Sequence, residues 1–145
     1  RLRGVAAKVS THRSLRSRGC SRIEYGAVRV AAALCGISLV ARYLRNPNPH
    51  ITVRLLRAFG ATIGERTTFK GAITIDNISQ DRESAGDFSH LQLGSNCYVG
   101  EEVFFDLARP ITFGDNVVIA ARASFITHAD CKSCSFVSSV ARTVE

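Results

Sequence analysis

Thr127-His128-Ala129-Asp130 is the stretch of this chain where side-chain types and spacing first suggest chemistry. Imidazole is the side chain that takes and releases a proton near neutral pH, and it also ligates metals. An imidazole that moves a proton needs a partner on its other ring nitrogen, and carboxylates serve that purpose. Asp130 is close in sequence, and Asp106 stands upstream in Phe104-Phe105-Asp106-Leu107-Ala108. Asp87, Phe88 and His90 follow a charged stretch and form a second candidate group. Residue type alone decides little, because a lone histidine is more often a surface or turn residue and an Asp in a turn is usually a turn former. Cys131-Lys132-Ser133-Cys134 has metal or redox spacing, but no second pair accompanies it and no βαβ pattern surrounds it, so no metal site is expected.

The elements that must position these residues are written in a repeat. From Leu93 to Asp130 the chain reads LGSNCY, VGEEVF, FDLARP, then, after Ile111-Thr112, FGDNVV, IAARAS, FITHAD. Leu93, Val99, Phe105, Phe113, Ile119 and Phe125 lead the six units, and Gly94, Gly100, Asp106, Gly114 and Ala120 follow five of the leads. A six-residue period marks a hexapeptide β-helix. Each unit is a short strand and a bend, and three units close a triangular coil of about 18 residues whose leads stack into an internal ladder. Asn96 and Asn116, three past their leads, supply turn signals. An ordinary antiparallel β domain with Gly-Asn turns is the plainer alternative, but it does not require leads in phase. Earlier units begin at Ile63, Phe69 and Ile75, and the pattern then lapses from Asp76 to Asp87. Ile75 and Leu93 lie one coil length apart, so the lapse reads as a partial coil carrying a polar loop.

Ahead of the repeat, Asn46-Pro47-Asn48-Pro49 stops any helix. Ile51, Leu55, Leu56 and Phe59 then recur at helical spacing up to Gly60, a C-cap. Such a helix would cover the open first edge of the coil. Val30 to Ala41 is an apolar run too short to span a bilayer and flanked by Arg29 and Arg42, which fits a packed helix or one on a membrane surface. No small-x-small cleavage site follows it, against a signal peptide.

Charge is divided unevenly. Residues 1–57 hold twelve Arg and Lys and a single acid, Glu24, whereas residues 58–145 hold seven basic and eleven acidic residues. The basic half suits anionic surfaces, but Tyr25 and Tyr43 are the aromatic residues among its twelve basic ones, fewer than nucleic-acid binding would want. Cys20, Cys35, Cys97, Cys131 and Cys134 make no disulfide framework, Cys97 falls at an inward position, and a reducing compartment is expected. The organisation expected is a disordered basic segment over 1–22, a helical segment over 23–60, hexapeptide repeats over 61–130 and an irregular tail over 131–145. Hydrophobic residues make up 46% of the chain, enough for one core.

NPNPHITVRLLRAFGATIGERTTFKGAITIDN, followed by GDFSHLQLGSNCYVGEEVFFDLARPITFGDNVVIAARASFITHADC, resembles the hexapeptide-repeat acyltransferases, the sugar O-acetyltransferases among them, over about residues 46–131. The resemblance implies an all-β fold, a single-stranded left-handed parallel β-helix with an N-terminal helical segment. That handedness departs from the right-handed crossover rule and comes from the resemblance alone. It implies acetyl-CoA as donor, a hydroxyl of a sugar or polysaccharide precursor as acceptor, and no metal. In the family the histidine of the Thr-His pair is the general base, a role that falls here on His128. Asp106 matches a position bordering the acceptor pocket, and Asp87, His90 and Asp130 are further acceptor-site candidates. An Asn that also binds the acceptor in such enzymes has no evident match. The resemblance further implies a homotrimer in the full-length form; the cysteine usage points to the cytoplasm, and the basic segment with its apolar run to peripheral membrane contact. Relatives continue with further units after the histidine, whereas CKSCSFVSSVARTVE shows none, and the chain opens on Arg1. We therefore expect a C-terminally truncated form, and the alternative function is an inactive β-helix fragment serving as an interaction module. A zinc enzyme of the γ-class carbonic anhydrase type on the same fold would need three histidines, two of them close in sequence, and His12, His50, His90 and His128 do not supply that spacing.

Overall fold

The computed structural model describes residues 6–79 and 84–128, with side chains from Ser21 onward. The tail expected over 131–145, together with Asp130, Cys131 and Cys134, lies outside the described residues. Helix α1 covers Ala6–Cys35, α2 Ser38–Tyr43 and α3 Pro49–Ala58. Helical backbone thus runs through much of the 1–22 segment expected to be disordered. Ala, Arg, Lys and Leu are good helix formers, and no proline interrupts them. The Val30–Ala41 run is divided between two helices, because Gly36 takes φ 86° and ends α1.

Nine short strands follow among the described residues: β1 (Thr62–Ile63), β2 (Thr68–Phe69), β3 (Ile73–Asp76), β4 (Leu91–Leu93), β5 (Tyr98–Val99), β6 (Val103–Asp106), β7 (Ile111–Phe113), β8 (Val118–Ile119) and β9 (Ser124–Phe125). They make three parallel sheets of three strands, ordered β1-β4-β7, β2-β5-β8 and β3-β6-β9. The chain therefore visits the three sheets in turn and completes the circuit three times.

The register stacks the leads as the six-residue phase requires. Ile63 pairs with Leu93 and Leu93 with Phe113; Phe69 with Val99 and Val99 with Ile119; Ile75 with Phe105 and Phe105 with Phe125. Seven of these nine are buried, and Phe113 and Phe125 pack against the same core. Phe125 stacks on Phe105 with centroids 5.6 Å apart and meets Phe113 edge-on at 4.9 Å. Arg66, Asn96 and Asn116 each occupy the left-handed region three residues past their lead, at φ 56°, 58° and 59°. Asn tolerates that region best of the non-glycine residues, and two of the three positions use it. Gly64, Gly94 and Gly100 have a different reason. A Cβ on Gly94 would lie 2.6 Å from the Gly114 carbonyl carbon, and one on Gly100 2.5 Å from the Ala121 nitrogen, so close stacking of circuits excludes a side chain.

Circuit length differs from the expected 18. Gln92 pairs with Thr112, twenty positions on, and Thr62 pairs with Gln92, thirty positions on. The excursion after Asp76 is therefore no partial coil. It is an enlarged corner between β3 and β4, ten residues longer than the matching corner between β6 and β7. Its described residues form no strand, and β4 pairs directly with β1. Ile78 and Phe88 anchor it in the core, Phe88 with no exposure and edge-on to Phe59.

The helices close the first circuit. Asn48 caps α3 by accepting from the His50 N–H, Pro49 fills the first turn, and Ile51, Leu55 and Leu56 are fully buried. The Arg57 guanidinium donates to the Ile63 carbonyl at 2.6 and 2.9 Å and to that of Gly64 at 3.0 Å, and the Ile73 N–H donates to the Leu44 carbonyl at 2.9 Å. Edge groups that could pair with another chain are thereby occupied. Tyr43 Oη donates to Glu24 Oε1 at 2.7 Å and Asn48 Nδ2 to Glu24 Oε2 at 2.7 Å, tying α1 to the Pro-rich stop. Burial, with Glu24 as hydrogen-bond partner and neighbouring charge, pushes the Tyr43 phenol up to about 12, against a lowering by the Asn48 N–H. Among the described residues no helix is long and apolar enough to cross a membrane.

Candidate functional site

Strand β6 ends in Asp106, directly above Asp76 in the register, and the next circuit brings Thr127 and His128 past it. Asp106 is 1% exposed, and such a carboxylate survives burial only if its oxygens are satisfied. They are. Oδ1 accepts from Asn77 Nδ2 at 2.9 Å and from the Ala108 N–H at 3.1 Å, and Oδ2 accepts from the Thr127 N–H at 3.1 Å and meets His128 Nδ1 at 2.5 Å. Burial works to raise the acid's pKa, but the bonds from Asn77, Ala108, His128 and Thr127 outweigh it and hold Asp106 at about 2. Asp106 is therefore ionised at neutral pH.

An ionised carboxylate on Nδ1 makes that nitrogen the donor and fixes the ring's tautomer. Asn77 Nδ2 also lies 3.3 Å from Nδ1, a contact between two donors rather than a second bond in this tautomer. Nε2 then carries the free lone pair, and among the described residues no partner occupies it. The His128 side chain is 38% exposed, so that nitrogen can meet a ligand. Thr127 locks the pair from the backbone side, its Oγ1 donating to the Asp106 carbonyl at 2.8 Å and accepting from the Arg109 N–H at 3.1 Å. An oriented, solvent-reachable imidazole of this kind can accept a proton from a hydroxyl and return it.

Of the residues singled out in the sequence, His128 and Asp106 are brought together. All four hydrogen-bonding positions on Asp106 are taken from within the protein, which suits an orienting role rather than contact with an acceptor. His90 donates from Nδ1 to the Leu107 carbonyl at 3.0 Å, one residue from Asp106, but makes no hydrogen bond to Asp106 or His128. Asp87 turns the chain instead: its Oδ1 accepts from the Ser89 N–H at 2.8 Å, and its carboxylate fills the place where a Gly60 side chain would stand. Phe88 belongs to the core. Asp130 lies outside the described residues.

Asn77 is the site residue that sequence reading misses. It sits at φ 54° on the first residue of the enlarged corner, where an Asn reads as a turn former. The signal that could have found it is positional, since Asp76 pairs with Asp106 and Asn77 immediately follows, but the insertion hides that register. Cys97 is a buried free thiol as expected, 3.2 Å from the Gly114 carbonyl. Among the described residues no group of three or more His, Cys, Asp and Glu could hold a metal ion. No family model, curated protein or solved structure matches the chain.

Proposed function

We propose that this chain is a hexapeptide-repeat acyltransferase built on a left-handed parallel β-helix, with His128 as general base. The observation that carries the reading is the 2.5 Å contact between His128 Nδ1 and the buried, ionised Asp106, which leaves Nε2 to act. The three stacked sheets and the in-phase leads support the fold assignment. The donor is acetyl-CoA and the acceptor a hydroxyl of a sugar or polysaccharide precursor.

The chemistry balances with one base. The acceptor hydroxyl's pKa lies far above 7, so the neutral alcohol attacks a thioester slowly. As its oxygen bonds to the thioester carbonyl carbon, its proton passes to Nε2, a transfer that contributes typically about 10²–10⁴-fold. Collapse of the tetrahedral adduct breaks the C–S bond, and the proton on Nε2 goes to the departing sulfur. Asp106 stays ionised throughout, stabilising the imidazolium and holding the ring. Asn77 steadies the carboxylate from the side opposite Thr127.

Assembly as a homotrimer belongs to the same reading. Tyr98 and Val118, paired across β5 and β8, are 40% and 74% exposed and form an outward apolar strip suited to self-association. Peripheral membrane contact from the cytoplasmic side is supported by Ile23, Val30 and Leu34, all more than 60% exposed on α1 beside exposed Arg22 and Arg29.

The test is thioester-dependent acetyl transfer to a panel of sugars, followed by release of free thiol. His128→Ala should lower turnover about 10²–10⁴-fold with the fold retained by circular dichroism. A variant as active as the parent would sink the assignment of the base.

A further inference from the structure

A second set of polar side chains borders the Asp106–His128 pair and shares Asn77 alone with the chemistry above. Between α2 and the start of the enlarged corner lies a cavity of about 260 Å³, whose polar lining is Ser38, Arg42, Arg45, Asp76, Asn77 and Ser79. Asn77 is common to both places: its side chain bonds to Asp106 and lies against His128, and it also forms part of this cavity's wall.

The arginines are the unusual feature. Arg42 and Arg45 lie one helical turn apart on and just after α2, both exposed, and among the described residues neither forms an ion pair or side-chain hydrogen bond. Asp76 lines the same cavity, yet its carboxylate bonds the Asn77 N–H at 2.9 Å rather than either guanidinium. Among the described lining residues, one carboxylate thus faces two guanidinium groups. Guanidinium groups bind oxyanions through paired N–H donors.

We propose that this cavity binds an anionic substituent of the acceptor, a phosphate or carboxylate on the sugar, and so selects charged over neutral sugars. The inference rests on the acyltransferase reading for the word acceptor, but the anion site itself does not. An acceptor whose anionic group sits on Arg42 and Arg45 extends past Asn77 toward His128 Nε2, so the charge recognised at one end positions the hydroxyl at the other. Selection follows from differential binding, since a neutral sugar leaves both guanidinium groups unengaged.

Binding to the full chain decides the matter without requiring turnover. Dissociation constants are measured by calorimetry for a neutral hexose, its 1-phosphate, a nucleoside diphosphate hexose and a hexuronate, with inorganic phosphate as competitor. At least one anionic ligand should bind about tenfold or more tightly than the neutral hexose, with the preference shrinking as salt is raised. Whichever ligand binds tightest identifies the source of the charge. Arg42→Gln with Arg45→Gln should abolish the preference, and both positions are exposed, so the fold is retained. No preference in the parent, or a preference that survives in the double variant, overturns the proposal. His128→Ala should retain the preference; loss of it there would also overturn the proposal. Preferential binding without acetyl transfer to any ligand would leave the anion site standing and remove the acyltransferase reading instead.

Discussion

Asp106 and His128 stand 22 positions apart in the chain and 2.5 Å apart in space, and what each does depends on the other. Asp106→Asn tests this directly. An amide can present its N–H₂ to Nδ1, turning that nitrogen into an acceptor and moving the ring proton to Nε2, where it blocks proton uptake. Turnover should fall by at least about tenfold with little change in acceptor affinity, and ¹⁵N shifts of the ring should report the switched tautomer. The same carboxylate gives a pH signature. Its folded pKa, about 2, lies below the ordinary value of 3.8, so its contribution to stability is fully present above about pH 4 and is lost as pH falls through about 2. Acid unfolding of the parent should show that extra loss between these limits, and Asp106→Asn should flatten it. Both residues were singled out in the sequence, His128 from the Thr-His pair and Asp106 as a nearby carboxylate matching an acceptor-pocket position, but the partnership between them was not fixed over Asp130. Asn77 was not singled out, because an Asn with positive φ has the same local signature whether it only turns the chain or also bonds a buried acid.

The strands are short, two to four residues each, and what holds them is the stacking of circuits. Glycine positions report that stacking. Gly94→Ala would drive a methyl group into the Gly114 backbone and should cost about 1–3 kcal/mol in urea unfolding. Gly114→Ala, where no atom of the described residues lies within 4 Å of the added carbon, should be nearly neutral. Equal losses at the two positions would show that backbone freedom, not packing between circuits, explains the glycines. The six-residue phase made the leads readable, because one apolar residue per unit must face the ladder. Corner lengths escaped it: hydrophobic period carries no information about how many residues a bend contains, so the first circuit's additional residues read as a partial coil carrying a polar loop. Helix α3 was readable from its apolar spacing and from Gly60 at its end, whereas Asn48 and Pro49, read as a stop, prove to cap and open it. The extent of α1 was not, since an Arg- and Ser-rich composition resembles disordered sequence while its residues still favour helix.

Across the molecule, the site is assembled from successive circuits. Asn77 follows β3 in the first, Asp106 ends β6 in the second, and His128 follows β9 in the third. In a stacked repeat each unit contacts only its neighbours, so stability is the sum of unit and interface contributions rather than one indivisible quantity. A circuit can therefore loosen from the next while the remainder stays ordered. On heating, a small slip between the second and third circuits would part the imidazole from its carboxylate before most of the strand content is lost. Turnover should disappear at a lower temperature than the far-ultraviolet circular dichroism signal, and coincident midpoints would contradict this. The Asp106–His128 pair would then act as a thermal fuse, switching the proposed activity off reversibly while the ladder beneath it remains intact to reset it on cooling.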